Sequence, residues 1–190
     1  MKKLAETYVQ SWNEMRHVKT LTTAAMFMAI SVVLGYFTIE AGPYLRIGFS
    51  SVANQFVYYL FGPVVGVLYG GILDLVQYVA KPVGAFFPGF TMITILSALI
   101  YGTFLYRRPF TIKRVFTVKL LVVLLCNVLL NTWCLSILYG KGMSVLIWPR
   151  FVKNIVMWPI DSVLFFVIAK KLEDFGVVRA IRKFGRAEKI

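Results

Sequence analysis

Residues 115–138 read VFTVKLLVVLLCNVLLNTWCLSIL and contain a single charged side chain, Lys119. Residues 120–138 form an unbroken run of 19 without any charge. A helix of about 20 predominantly apolar residues is long enough to cross the hydrocarbon core of a bilayer. This stretch is therefore interpreted as a transmembrane span.

Five further stretches are similarly apolar. The whole chain is 59% hydrophobic and only 15% charged, so it has too few polar residues to form the surface of a soluble protein. Gly62-Pro63 predicts a tight turn between two of them. The sequence predicts an all-α polytopic membrane protein, a six-transmembrane-helix bundle forming one domain over residues 1–190. Residues 1–19 are predicted to be an interfacial segment and residues 172–190 a basic cytoplasmic tail. The expected spans are 21–38, 48–61, 64–79, 90–106, 115–138 and 150–169.

The basic residues predict the orientation of these spans. Sixteen of the 21 Lys and Arg lie in the N-terminal segment, in the tail, and in the loop after the fourth span extended to Lys119. Cytoplasmic loops carry an excess of Lys and Arg, so both termini are expected in the cytoplasm of a cell-membrane protein. The same pattern explains the net charge of +13 without nucleic-acid binding. The other five cations are Arg46, Lys81, Lys141, Arg150 and Lys153.

One acidic residue inside a span is the first candidate for ligand binding. Gly62, Gly66, Gly70 and Asp74 recur every four residues, which puts them on one stripe of a helix where a neighbouring helix can approach closely. A carboxylate in a bilayer is costly and should face a polar cavity or a cation. Contact between Asp74 and a ligand, or a structural salt bridge to Arg150 or Lys153, would satisfy it.

The outward side of the predicted bundle combines aromatic residues with turns rich in Gly and Pro. Tyr44, Phe87 and Trp148 all fall there. Such a mixture is typical of a binding-site lining, although aromatic residues also form belts at the membrane interface.

Cations and amides on that side predict an anionic ligand. Arg150, Lys153 and Asn154 lie within about one helical turn, against the positive-inside trend, and Arg46 and Asn131 lie on the same side. Snorkelling of the cations to the interface and hydrogen bonding of the amides between helices remain the alternatives.

Motifs for catalysis are absent from the sequence. It has no GxSxG, HExxH or Walker lysine, and Cys126 and Cys134 lack a metal-binding spacing. No catalytic residue, cofactor or metal is expected, and the chain cannot use ATP by itself. A substrate-binding membrane subunit powered by a partner is the simplest remaining mechanism.

The chain resembles the substrate-binding S-components of energy-coupling factor (ECF) vitamin transporters, which are ABC importers, and specifically the folate-type branch. The resemblance covers essentially the whole chain. It lies in Ala25 and Ala29 of the first span, in the stretch from Gly62-Pro63 to Asp74, and in Pro82 followed by the FFPGFT run of residues 86–91.

The resemblance implies a vitamin-binding subunit that docks on a transmembrane coupling subunit and two ATPase subunits. It implies that Ala25 and Ala29 lie on the docking surface and that ATP hydrolysis in the partners topples the subunit to release its ligand inside. Folate would suit the residues. Its flat pterin could stack on Phe87 or Trp148, and the two donors of the pterin edge could bind Asp74. Its anionic glutamate tail could bind Arg46, Arg150 or Lys153. An S-component for pantothenate, a queuosine precursor or thiamin remains an alternative, as do a small membrane enzyme acting on lipid head groups and a helix-bundle partner without a ligand.

Overall fold

The computed structural model describes residues 2–37, 39–40, 46–48, 50–81, 86–140, 142–176 and 178. Within them the protein is almost entirely helical, with one minimal antiparallel hairpin in which Ile39 and Glu40 pair with Ile47 and Arg46. The helices are α1 (Lys2–Met15), α2 (Val18–Tyr36), α3 (Ser50–Ala80), α4 (Pro88–Leu105), α5 (Ile112–Val122), a π-helix (Val123–Leu130), α6 (Asn131–Tyr139) and α7 (Met143–Asp174). Five helical runs are long and apolar enough to cross a membrane.

Helix α3 is two arms folded against each other at Gly62, whose φ of 85° interrupts the helix. The Tyr69 hydroxyl donates to Asn54 Oδ1 at 3.1 Å, although 15 residues of continuous helix would hold these positions about 22 Å apart. The Gly62-Pro63 turn predicted from the sequence is therefore confirmed. Because the two arms of α3 count separately, the described residues form the predicted six-helix bundle.

Helix α1 lies under this turn and satisfies the backbone groups that the turn exposes. Ser11 Oγ donates to the Phe61 carbonyl at 2.7 Å and accepts from the Val64 amide at 3.0 Å. A Cβ on Gly62 would lie 2.9 Å from Ser11 Oγ and 3.0 Å from Tyr106 Cδ1, so only glycine fits here without displacement. The predicted interfacial segment is thus a helix packed on one end of the bundle.

An ion pair fastens α1 to the connection between α4 and α5. Arg107 Nη2 lies 2.9 Å from Glu14 Oε1, and the buried Tyr106 hydroxyl donates to the same oxygen at 3.4 Å. Burial raises the pKa of Tyr106 to about 12, so its hydroxyl keeps its proton at neutral pH. This end of the bundle, called the α1 end below, is held by hydrogen bonds between distant parts of the chain.

The glycine stripe brings three helical segments into close contact, as predicted. A Cβ on Gly66 would lie 2.9 Å from Tyr58 Cδ1 of the first α3 arm, and a Cβ on Gly70 would lie 3.2 Å from Thr94 Cγ2 of α4. On α4, a Cβ on Gly102 would lie 2.5 Å from Pro63 Cα. The absence of side chains on these residues therefore sets the distance between the second α3 arm and its neighbours.

Helix α7 begins at Met143, seven residues earlier than the span predicted to begin at 150. Pro149 lies inside it, so the prediction that Trp148 belongs to a loop is wrong. Trp148 is 69% exposed on the helix surface, with its ring edge-on to Phe151 at a centroid distance of 6.5 Å. Sequence reasoning placed a boundary at this proline because proline disfavours helix interiors, although its cost is smaller near a helix start.

Lys119 does not belong to the basic loop to which the sequence analysis assigned it. It lies within α5 with only 3% of its side chain exposed, and its Nζ is 3.9 Å from Asp161 Oδ2 on α7. The positive-inside count therefore loses one member. This contact pairs Asp161 with a cation on a neighbouring helix.

Candidate functional site

The residues predicted to bind a ligand gather at the end of the bundle opposite α1. The second α3 arm runs from the turn held by Ser11 to Ala80, and α4 begins at Pro88 and ends beside that turn. The late part of α3, the start of α4, α6 and the start of α7 therefore share one end, called the ligand end below.

Asp74 lies near the ligand end of α3 and contacts α4. Thr91 Oγ1 donates to Asp74 Oδ2 at 2.6 Å, a short bond to a half-buried carboxylate. Among the residues that the structure describes, Asp74 forms no ion pair with Arg150 or Lys153, so the salt-bridge alternative is not observed. Carboxylate oxygens have several acceptor positions, and the Thr91 bond uses one of them.

Thr91 is a contact that sequence reasoning missed. In the sequence, Thr91 is only the last residue of the FFPGFT run. Its partner Asp74 lies 17 positions earlier, on another helix. The signal that could have found it is positional, since a threonine in the first turn of α4 faces the last turns of the α3 arm packed against it.

Phe87 immediately precedes α4 and packs across the start of that helix. Its ring is edge-on to Phe90 with centroids 5.8 Å apart. A Cβ on Gly89 would collide with the Phe87 ring and would lie 2.8 Å from Cys134 Sγ, so Gly89 lets the aromatic ring and α6 meet. Phe87 is half-buried, which leaves part of its ring accessible at the ligand end.

Arg150 and Asn131 form the second polar contact of this end. Arg150 Nη1 donates to Asn131 Oδ1 at 2.8 Å and joins α7 to the first residue of α6. Cys134 lies one turn after Asn131, so α6 touches both the Phe87 region and Arg150. The amide fixes the position of a guanidinium without cancelling its charge.

Lys153 and Asn154 follow Arg150 on α7. Lys153 is half-buried, and its charge interacts with those of Arg150 and Asp161. Asn154 is buried. Arg150, Lys153 and Asn154 thus lie on the protein-facing side of α7, whereas Trp148 lies on its exposed side.

Two predicted site residues lie wholly or partly outside the described part of the chain. Tyr44 lies outside the described residues. Arg46 is described only through its backbone, which pairs with Glu40 in the short hairpin at the ligand end of α2.

A buried polar network links α2 to both arms of α3. Ser31 Oγ donates to Asn54 Oδ1 at 2.6 Å and lies 3.0 Å from the Tyr69 hydroxyl. Gln77 Nε2 reaches the Ser31 carbonyl at 3.4 Å. These bonds hold the ligand half of α3 beside α2, and they give the Asn54 oxygen of the first α3 arm its hydrogen-bond donors.

The predicted docking residues Ala25 and Ala29 are both exposed on α2, whereas Ala24 beside them is buried. They form a flat part of the helix surface without charge. A small-residue surface of this kind lets another membrane helix approach closely.

Comparison with known proteins assigns the family. Residues 19–169 match the model of the ECF transporter, substrate-specific component. The chain belongs to this family. It is therefore the substrate-binding component of a transporter and a multi-pass membrane protein, and the resemblance stated from the sequence is confirmed.

The chain is similar to proteins that are named as vitamin transporters. The chain is 30% identical to the folate transporter FolT of Clostridium novyi (strain NT) over 172 residues, which cover 90% of this chain and all of the relative. It is 33% identical to FolT of Leuconostoc mesenteroides over 143 residues, covering 72% and 77% of the two chains. The riboflavin transporter RibU of Staphylococcus aureus is 25% identical and covers 85% of this chain and 94% of its own.

Two solved structures share the fold. A crystal structure of FolT bound with folic acid matches with a TM-score of 0.76 and 28% identity, covering 82% of this chain and 95% of that one. The S component of a bacterial ECF transporter matches with a TM-score of 0.57 and 26% identity, covering 83% and 96%. The predicted helix-bundle fold is confirmed by both.

Proposed function

We propose that this protein captures folate at the outer face of the cell membrane and delivers it inward when docked on an ATP-driven coupling module. Its similarity to two FolT proteins and to a folic-acid-bound FolT structure supports folate over other vitamins. The observation that carries the proposal is that the ligand end holds the Asp74 carboxylate, hydrogen-bonded to Thr91, and the Arg150 guanidinium, hydrogen-bonded to Asn131.

Asp74 is the proposed acceptor for the pterin ring. The pterin edge presents an amino group beside a ring N–H, and a carboxylate can accept from both. The Thr91 bond to Oδ2 fixes the orientation of Asp74 on α3 and leaves acceptor positions on both oxygens. Phe87, half-buried at the start of α4, is the proposed stacking surface for the flat ring.

Arg150 is the proposed partner of the anionic glutamate tail. Asn131 Oδ1 accepts a hydrogen bond from its guanidinium at 2.8 Å, which fixes the position of one nitrogen of a group whose charge suits a carboxylate. Lys153 and Asn154 follow on the same side of α7 and complete this polar region. Tyr44, Arg46 and the exposed Trp148 are proposed to line the mouth of the site.

The partners proposed for this chain are a transmembrane coupling subunit and two ATPase subunits, which hydrolyse ATP. The exposed Ala25 and Ala29 on α2 are the proposed contact for the coupling subunit. Both termini are proposed to be cytoplasmic, because the α1 end collects Arg16, Lys19, Arg107 and Arg108 beside the connection between α4 and α5.

Ligand binding by the purified protein tests this function. Titration with folic acid should quench tryptophan fluorescence or release heat with saturation at one site. Riboflavin, thiamin and pantothenate should not compete. Right-side-out vesicles should bind folic acid added outside, and a C-terminal tag should be cut by protease only after permeabilisation. Saturable riboflavin binding without folate binding would overturn the proposal.

A further inference from the structure

The π-helix Val123–Leu130 interrupts the fifth span between two polar contacts to α7. On its cytoplasmic side, Lys119 lies 3.9 Å from Asp161, and directly after it, Asn131 accepts from Arg150 at 2.8 Å. The fifth span is therefore joined to α7 by an ion pair before the irregular segment and by a charge-assisted hydrogen bond after it.

On a regular helix through residues 119–131, the two side chains that make these contacts would point in clearly different directions. Each α-helical residue turns the chain by about 100°, so positions 12 apart point about 120° away from each other. A π-helix bonds i to i+5 and accommodates about one extra residue, so the same 12 positions turn like 11 and point within about 20° of each other. The π-helix thus lets Lys119 and Asn131 face the same neighbour.

The partners on α7 have the matching spacing. Arg150 and Asp161 are 11 positions apart, which puts them about 20° from each other on one face of a helix and about 16 Å apart along it. The backbone shows the wider bonding directly, because the amide of Asn131 donates to the carbonyl of Cys126 five residues earlier.

A second observation points to a polar occupant at the outer end of the π-helix. The hydroxyl of Thr132 is fully buried and has no hydrogen-bond partner among the residues that the structure describes. Buried hydroxyl groups normally find one, so this position next to Asn131 favours a ligand or a water molecule close by.

We propose that the π-helix positions a residue for ligand recognition by turning Asn131 toward α7. Asn131 then holds Arg150 where a dicarboxylate tail binds. The inference rests on the proposed function for its ligand. Asn131 acts through Arg150 and is a positioning residue. The inner pair of Lys119 and Asp161 fixes the other side of the register.

The test compares folic acid with pteroic acid, which has the same pterin and ring system but lacks the glutamate tail. In Asn131→Ala, affinity for folic acid should fall by about tenfold, because a hydrogen bond to a charged group is lost, while affinity for pteroic acid stays unchanged. Deleting Leu129 should convert the segment to a regular helix and remove the same tail-dependent part of the affinity. Leu129→Ala is the matched control, since its side chain is exposed and the residue count is preserved.

The outcomes separate the inference from the function on which it rests. Equal effects of Asn131→Ala on both ligands, or none on either, overturn the positioning role even if the wild type binds folic acid tightly. If the deletion variant does not fold, Asn131→Ala alone decides. If the wild type binds neither compound, the proposed function is wrong and the inference falls with it.

Discussion

At the residue scale, the ligand end is built from charged groups held by neutral ones. Asp74 accepts a hydrogen bond from Thr91, and Arg150 donates one to Asn131. Thr91 and Asn131 are uncharged, so each of these two contacts is a hydrogen bond to a charged group and not an ion pair. The inner pair of Lys119 and Asp161 differs, because two opposite charges face each other away from that end.

Replacing Asp74 with Asn should weaken folate binding by about 2 kcal/mol, because a charge-assisted hydrogen bond becomes a neutral one and one acceptor becomes a donor. Isothermal titration with folic acid measures the change. Thr91→Val should cost about 1 kcal/mol, since the carboxylate stays but loses its orienting bond.

Thr94→Val is the matched control for this pair. Thr94 lies one turn beyond Thr91, and among the described residues its hydroxyl bonds to the Phe90 carbonyl of its own helix and not to Asp74. Binding by this variant should equal that of the wild type. An Asp74→Asn protein with wild-type affinity would remove Asp74 from the site.

At the element scale, the turn inside α3 decides how the bundle packs. Gly62 takes a positive φ, Ser11 satisfies the backbone groups around it, and Gly102 brings α4 against Pro63. Three helices therefore meet at one point where side chains are small or absent. A change in this turn reaches α1, α3 and α4 together.

Gly62→Ala should lower the free energy of unfolding by about 2–4 kcal/mol, since it combines a strained φ with a Cβ in contact with Ser11 and Tyr106. Gly140→Ala is the control: its φ is +62° but a Cβ there meets nothing within 4 Å, so strain alone should cost about 1 kcal/mol. Thermal unfolding in detergent compares them. Equal shifts of the midpoint would show that packing at the turn is unimportant.

The sequence predicted the features of the helices that depend on residue type and spacing along the chain. Glycine and proline at 62 and 63 indicated the turn, and four-residue spacing indicated the packed stripe. The π-helix left no such signal, because residues 123–130 are as apolar as any regular span and the register depends on α7. The early start of α7 and the burial of Lys119 were not predicted either, because both depend on packing against neighbouring helices. At the site, Asp74 was predicted from its cost in a bilayer, but Thr91 required the packing of α4.

At the scale of the whole molecule, the two ends of the bundle have different tasks. The α1 end is fastened by Ser11, by Glu14 with Arg107 and by the buried Tyr106. The ligand end carries the anchored charges and the short hairpin. Between them, α2 presents an uncharged exposed surface that contains Ala25 and Ala29. A partner bound to that surface would leave both ends uncovered.

Replacing Ala25 and Ala29 with Trp should abolish folate uptake in cells that contain the coupling module, because the bulky rings would keep α2 away from the contacting helix of the coupling subunit. Binding by the purified protein should be unchanged, since neither residue lies at the ligand end. Val163→Trp, on the exposed face of α7, is the control and should transport normally. Normal uptake by the double variant would show that the module docks elsewhere.

The folded α3 also has a consequence for how the protein is made. Its first arm, residues 50–61, is about 18 Å long, too short to cross a bilayer of about 30 Å unaided. Such a segment has little tendency to leave the insertion channel alone. Both arms should therefore enter the lipid together after the turn has left the ribosome, and Ser11, which is synthesised earlier, can then bind the backbone groups of the turn.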